Sequence, residues 1–189
     1  MWLAIWIGLV ALGCGESRET QARPPDAEQS PLAEFNQRIA DYVDLQKRTA
    51  KPLGDADDTK APAEITARET ALANAIRAAR PDAKAGDLFT APAAAVIKKV
   101  IAENYRHSPA VRDTRKDAEI ELPDFTPNVN EVYPPTYPLA TFPPTLLMVL
   151  PPLPDQLEYR IVTHHLILRD VSANLIVDVL PNAVPQGTR

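Results

Sequence analysis

The stretch Leu157-Glu158-Tyr159-Arg160-Ile161-Val162-Thr163-His164-His165-Leu166-Ile167-Leu168-Arg169-Asp170-Val171-Ser172-Ala173-Asn174-Leu175-Ile176-Val177-Asp178-Val179-Leu180 decides the fold class. Three β-rich segments, 157–162, 166–169 and 175–180, are separated by short polar junctions, His164-His165 near the first and residues 170–174 in the second. Short aliphatic runs broken at this spacing predict a three-stranded antiparallel meander over 157–181. Period-two alternation places Ile161, Leu166 and Leu168 on one face. It lets Arg160, Arg169 and Asp178 point to solvent or to one another across strands.

Upstream of the meander the chain changes texture. Residues 123–154 hold 10 prolines in 32 positions, three of them starting Pro-Pro pairs. Proline removes backbone donors and disfavours helix in the residue before it, so an extended strap over 123–156 is expected. Tyr133, Tyr137 and Phe142 lie between prolines, and packing of Tyr and Phe inward is favoured over a role as a polyproline ligand. Thr145-Leu146-Leu147-Met148-Val149-Leu150, bounded by Pro-Pro on both sides, has the length of a strand buried on both faces.

The front of the chain reads as helix. Ser30-Pro31 has the form of an N-cap followed by Pro at the first helical position, and Leu32, Phe35, Ile39, Tyr42 and Val43 make one apolar stripe to about Ala50. A second helix opens at Pro62, with Ile65, Leu72, Ile76 and Ala79 as its stripe, and Pro81 ends it. Residues 86–90 form a turn from which Thr90 can cap a third helix, whose buried face is Val96, Ile97, Val100, Ile101 and Tyr105. Charged residues dominate 107–119, which joins the two halves. The expectation is therefore α+β: an N-terminal three-helix bundle (30–106) packed on a small C-terminal antiparallel β-meander (157–181) with the Pro-rich strap, all one domain over 30–185.

The N-terminus carries an address. Residues 2–12 are an unbroken apolar run, too short to cross a bilayer and the length of a signal h-region. Ala11-Leu12-Gly13-Cys14-Gly15 follows and resembles the lipobox of bacterial lipoproteins. That resemblance implies a signal peptide over 1–13 and lipid attachment at Cys14, which would become the mature N-terminus and hold the protein at a membrane facing the periplasm or cell exterior. Gly15 stands where the resemblance associates Asp with inner-membrane retention, so in a host with two membranes the resemblance favours the outer one. Residues 14–29 have no apolar periodicity and read as a flexible tether, up to about 50 Å long if extended.

Composition narrows the function classes. With one Cys no internal disulfide can form. Of the net charge of −5, residues 15–118 contribute nothing, with 17 basic and 17 acidic side chains; residues 119–189 hold 3 basic against 8 acidic. No basic block is present for a phosphate backbone, so nucleic acid is not an expected partner. Six Gly against 20 Pro leaves little room for a Gly-rich phosphate loop.

Beyond the lipobox, residues 86–90 (Gly86-Asp87-Leu88-Phe89-Thr90), the strap and residues 151–181 are similar to an uncharacterised family of exported bacterial proteins, which carries no activity to transfer. Residues 159–179 also resemble the terminal hairpin of small periplasmic proteins linked to nickel and cobalt homeostasis. By residue type His164 and His165 are the metal candidates of this chain, with Asp170, Asp178 and the distant His107 as potential partners. Neighbouring strand residues point to opposite faces, which works against chelation by the His pair. No His-x-x-x-His or Cys-based spacing supports a site. Ser108 and Ser172 sit in polar loops and Asp57-Asp58 lie in a loop with nothing apolar around them, so no catalytic residue is nominated and no cofactor is expected. The reading favours a non-enzymatic envelope module that binds an envelope protein or component; the alternative is a periplasmic metal-binding or stress protein.

Overall fold

The computed structural model describes residues 31–54, 61–107, 125–138 and 142–185. The protein is α+β. Helices α1 (Pro31–Ala50), α2 (Pro62–Ala79) and α3 (Ala91–His107) precede a single turn α4 (Pro144–Leu147) and strands β1 (Leu157–Val162), β2 (His165–Asp170) and β3 (Leu175–Leu180). The strands pair antiparallel in the order β1-β2-β3, as the alternating apolar segments predict. Among the described residues no helix is long and apolar enough to cross a membrane.

Each helix buries the stripe its spacing dictates, with adjustments. Helix α1 buries Phe35, Ile39, Tyr42 and Val43, and packs against both α2 and α3. In α2 the buried set narrows to Leu72, Ala73 and Ile76. Ile65 is 51% exposed and Ala79 is exposed as well, because the two ends of α2 reach past the layer they cover. Helix α3 buries Ala93, Ile97 and Ile101, with Val96 and Val100 at the margin. The Thr90 hydroxyl does not cap α3: it is buried without a hydrogen-bond partner, and it is the Thr90 carbonyl that accepts from Ala94.

The sheet is covered on both faces, which the alternation alone did not convey. One face joins the helices in a single apolar cluster through Leu157, Tyr159, Leu166, Leu168, Leu175, Val177 and Leu180. The opposite face, with Val162, Ile167, Ile176 and Val179, is covered by the strap through Tyr133 and Tyr137, with Phe125 and Val129 beside them. Every residue of β3 is buried as a result. The strap also closes the β3 edge. Val132 bridges Leu175, the Tyr133 N–H donates to Asn174 O, and the Ile176 N–H donates to Glu131 O. Asn130, at φ 65°, makes the strap's turn, a left-handed position that Asn tolerates.

Two expectations about the strap are corrected. It is not extended throughout, and residues 145–150 are not a strand. Pro143 and Pro144 start one helical turn, whose last carbonyls accept from Met148 and Leu150. Only Leu146 and Leu150, four apart, are buried, while Leu147, Met148 and Val149 are exposed. Proline at the first helical position suits a turn, and prolines at 151 and 152 deny the run a strand ladder.

A β-bulge sits where β2 and β3 lose register. Arg169 opposes Ile176 and Leu168 opposes Asp178, so β3 advances two residues while β2 advances one. Such a bulge re-aims a side chain. Here Asp178, expected to point to solvent or to another charge across the strands, turns inward and is fully buried.

Candidate functional site

Sequence reasoning nominates Cys14, His164, His165 and Asp170, with Asp178 and His107 as further metal donors. Cys14, Asp57, Asp58 and Ser108 lie outside the described residues. The structure separates the rest.

Asp178 is a structural anchor. Its carboxylate accepts the backbone N–H groups of Gly86 (2.8 Å), Leu88 (2.7 Å), Phe89 (2.7 Å) and Val179 (2.7 Å). Burial raises its carboxyl above the ordinary Asp value, and the four N–H donors oppose that rise. Gly86 adopts φ 90°, which brings its N–H to the carboxylate and which L side chains rarely reach. The 86–90 turn is thereby fixed to β3, with Phe89 stacked on Phe35 at 5.6 Å.

Asp170 is likewise committed. It accepts from the Tyr42 hydroxyl at 2.8 Å and from the Ala173 N–H at 2.8 Å. Burial raises its pKa, against the hydrogen bonds of Ala173, Tyr42 and Ser172 and the charge of Arg169. The Arg80 guanidinium lies 5.2 Å over the Tyr42 ring, a cation–π contact. Asp170 and Asp178 do not face each other across a hairpin: Asp170 opposes Leu157 and Leu175, and Asp178 opposes Leu168.

His164 and His165 are brought together, contrary to the opposite-face expectation. The turn at Thr163, φ 54°, sets their rings 4.0 Å apart with planes tilted by 40°. The Asn182 N–H donates to His165 Nδ1 at 3.4 Å. Burial, and then the neighbouring His164, lower the His165 pKa from its ordinary value. Asp170 cannot join them, because His165 and Asp170 stand at the two ends of β2, roughly 16 Å apart. His107 is exposed at the end of α3. Among the described residues, no group of three or more His, Cys, Asp or Glu side chains gathers as metal ligands would.

On the strap-covered face, Glu158 receives Arg160 at 2.6 Å and Arg169 at 2.6 Å. The cross-strand meeting of charges is as expected, but Glu158 rather than Asp178 is its centre. Burial works to raise the Glu158 carboxyl, and the hydrogen bonds of the two guanidiniums outweigh it, so its pKa is lowered. Arg169 also donates to Asn174 Oδ1 at 2.8 Å and lies 5.6 Å over the Tyr133 ring. This cluster joins strap to sheet.

Among the described residues an open groove lies at the other edge of the sheet, and the sequence reading does not single it out. A groove of about 600 Å³ runs along β1, between Leu157, Glu158, Tyr159 and Arg160 on one side and Phe142, Leu147, Pro151, Pro152 and Leu153 on the other. Its size is that of ligand clefts, and its walls are mostly apolar. Phe142 stacks on Tyr159 at 6.0 Å, and the Tyr159 hydroxyl donates to Pro151 O at 3.0 Å, so the walls hold each other. Leu147 also belongs to an exposed apolar tip with Met148 and Val149, which are 53%, 84% and 44% exposed in chain order. The signal for this site was the apolar run between Pro-Pro pairs, read as a buried strand. Comparison with models of known protein families, with curated proteins and with solved structures finds no match to this chain.

Proposed function

We propose that the chain is an exported envelope protein, anchored by lipid on Cys14, whose folded part is a non-enzymatic binding or structural module. In this reading α1–α3 form a three-helix bundle on the β-meander, the strap is the third layer, and the β1 groove with its neighbouring tip is the docking surface. The observation that carries the reading is the contrast between that open apolar surface and the buried polar groups. Asp170, Asp178 and Tyr42 are spent on internal partners, whereas Leu147, Met148 and Val149 are left facing outward. Exposed apolar patches of this kind mark protein or membrane interaction sites. The partners in this reading are the membrane, through the lipid, and an envelope protein or component.

Two measurements test it. Mass spectrometry of the mature protein should find acyl chains on an N-terminal Cys14; an unmodified terminus near Gly15 removes the anchor. A photo-crosslinking residue at Leu147 should give adducts in the native envelope that the same residue at exposed Ala67 on α2 does not. Equal labelling from both positions refutes the docking surface.

The pairing of the His164 and His165 rings favours one second reading, a periplasmic metal-binding or stress protein. Calorimetry with nickel and with zinc decides it: saturable heat that His164→Ala and His165→Ala both abolish supports it, and no saturable heat removes it.

A further inference from the structure

We infer that Met148 is a reversible oxidation site, and that conversion of its thioether to the sulfoxide by a hydroperoxide switches off the apolar docking surface beside it. The inference names a regulation of that surface and rests on the docking reading above.

Accessibility is the first reason. Met148 is 84% exposed, the most exposed large apolar side chain among the described residues. The chain holds one other methionine, Met1, inside the expected signal segment. A thioether in a core is shielded by its neighbours, whereas this one presents its polarizable sulfur to small oxidants in solution.

The setting of the residue is the second reason. Oxidation makes the side chain polar and chiral, which disrupts packing where the methionine is part of a core. Here Leu146 and Leu150 hold the turn to the core, and Met148 belongs to neither apolar cluster. The fold therefore tolerates the sulfoxide, and the modified side chain stays within reach of whatever reduces it. What changes is the surface. Met148 stands between exposed Leu147 and Val149, and Leu147 also lines the β1 groove. Any apolar contact made there would have to strip water from the sulfoxide oxygen without replacing its hydrogen bonds, which is costly.

The step is a two-electron oxygen transfer. The sulfur lone pair attacks the outer oxygen of the hydroperoxide, and the S–O bond forms as the O–O bond breaks. The sulfur is oxidised and the peroxide reduced; the departing oxygen takes the hydroperoxide proton and leaves as water or an alcohol. A pair of thiols reverses the step, the sulfoxide oxygen leaving as water while the thiols close to a disulfide.

The test treats the full chain with hydrogen peroxide and reads it by peptide mass spectrometry. Met148 should gain one oxygen at a rate within roughly threefold of free methionine. Urea unfolding should not shift, and methionine sulfoxide reductases of both stereospecificities should restore the mass. Met148→Leu/Leu146→Met moves the sulfur to the buried position of the same turn with volume conserved, and oxidation there should be at least about tenfold slower. With the photo-crosslinking residue at Leu147, oxidation should cut the envelope adducts several-fold. Met148→Gln should cut them without oxidant, and Met148→Leu should keep them in the presence of peroxide. The inference is overturned by a Met148 that resists peroxide, by oxidation as fast at position 146 as at 148, by a sulfoxide that unfolds the protein, or by adducts that persist on the oxidised chain. Equal adducts from positions 147 and 67 before any oxidant is added remove the docking surface instead, and its regulation falls with it.

Discussion

The Tyr42 hydroxyl on α1 donates to the Asp170 carboxylate at the end of β2 at 2.8 Å, joining the helical layer to the sheet across 128 positions of chain. Both groups are buried, and burial first, then the Asp170 charge, holds the Tyr42 phenol protonated well above its ordinary range. Tyr42→Phe keeps the ring and removes the donor, leaving a buried carboxylate one hydrogen bond short. Losing a bond to a charged group costs about 1.5–3 kcal/mol. The cost should depend on pH. A carboxyl whose folded pKa is raised contributes stability in full below its unfolded pKa, and loses it as pH rises through the folded value. Removing Tyr42 raises Asp170 further, so urea unfolding should show a larger loss at pH 8 than at pH 4. An equal loss at both would mean that Asp170 does not sense the hydroxyl.

Asp178 supports a second prediction. Asp178→Asn preserves size, but an amide has one acceptor oxygen and turns an NH2 group toward a cluster of four backbone N–H donors. Orphaning buried donors should cost about 3 kcal/mol or more, and the 86–90 turn should loosen first. Hydrogen exchange at the Leu88 and Phe89 amides is the direct measurement. Protection there as strong as in the unaltered protein would show that the carboxylate is not what holds the turn.

Much of this architecture was legible. Antiparallel pairing follows from local alternation, and 157–180 alternates with short breaks between its segments. Helices α1 and α3 follow from the spacings 35, 39, 42 and 97, 101. What was hidden depends on chain distant in sequence. Asp178 reads as a position facing solvent or another charge until the 86–90 turn is laid over one face of the sheet, and the layer that Tyr133 and Tyr137 add over the other face has no local mark. The bulge that admits Val177 beside Asp178 has no local mark, since neither residue is Gly. The proximity of His164 and His165 depends on Thr163 adopting φ 54°, a conformation its β-branched side chain disfavours. The groove escaped notice because a six-residue apolar run has the same composition as a strand or a helical turn, and only the packing of Leu146 and Leu150 decides between them.

That decision gives the third prediction. In a strand buried on both faces every aliphatic residue of 145–150 would be costly to remove. On the helical turn only the fully buried Leu146, and Leu150 with it, should matter. Leu146→Ala should cost about 2–5 kcal/mol, whereas Met148→Ser should stay within about 0.5 kcal/mol. Chemical denaturation of the two variants compares them directly, and a loss at Met148→Ser approaching that at Leu146→Ala would restore the strand.

The last prediction concerns acid. Burial, and next the imidazole of His164, lower the His165 pKa. A histidine with a depressed folded pKa contributes stability that is present above its unfolded value, about 6.5, and is lost as pH falls through the folded one. Other groups oppose this trend: the raised carboxyls of Asp170 and Asp178 gain stability as pH falls. A comparison with His165→Gln isolates the histidine, because the carboxyls are common to both proteins. Between pH 7.5 and pH 5 the unaltered protein should lose stability relative to the variant. In NMR titration the His165 ring should titrate below about 6.5, and His164→Ala should move it part of the way back, because burial remains. A His165 midpoint at or above 6.5 would mean that the paired rings seen at the turn do not persist in solution.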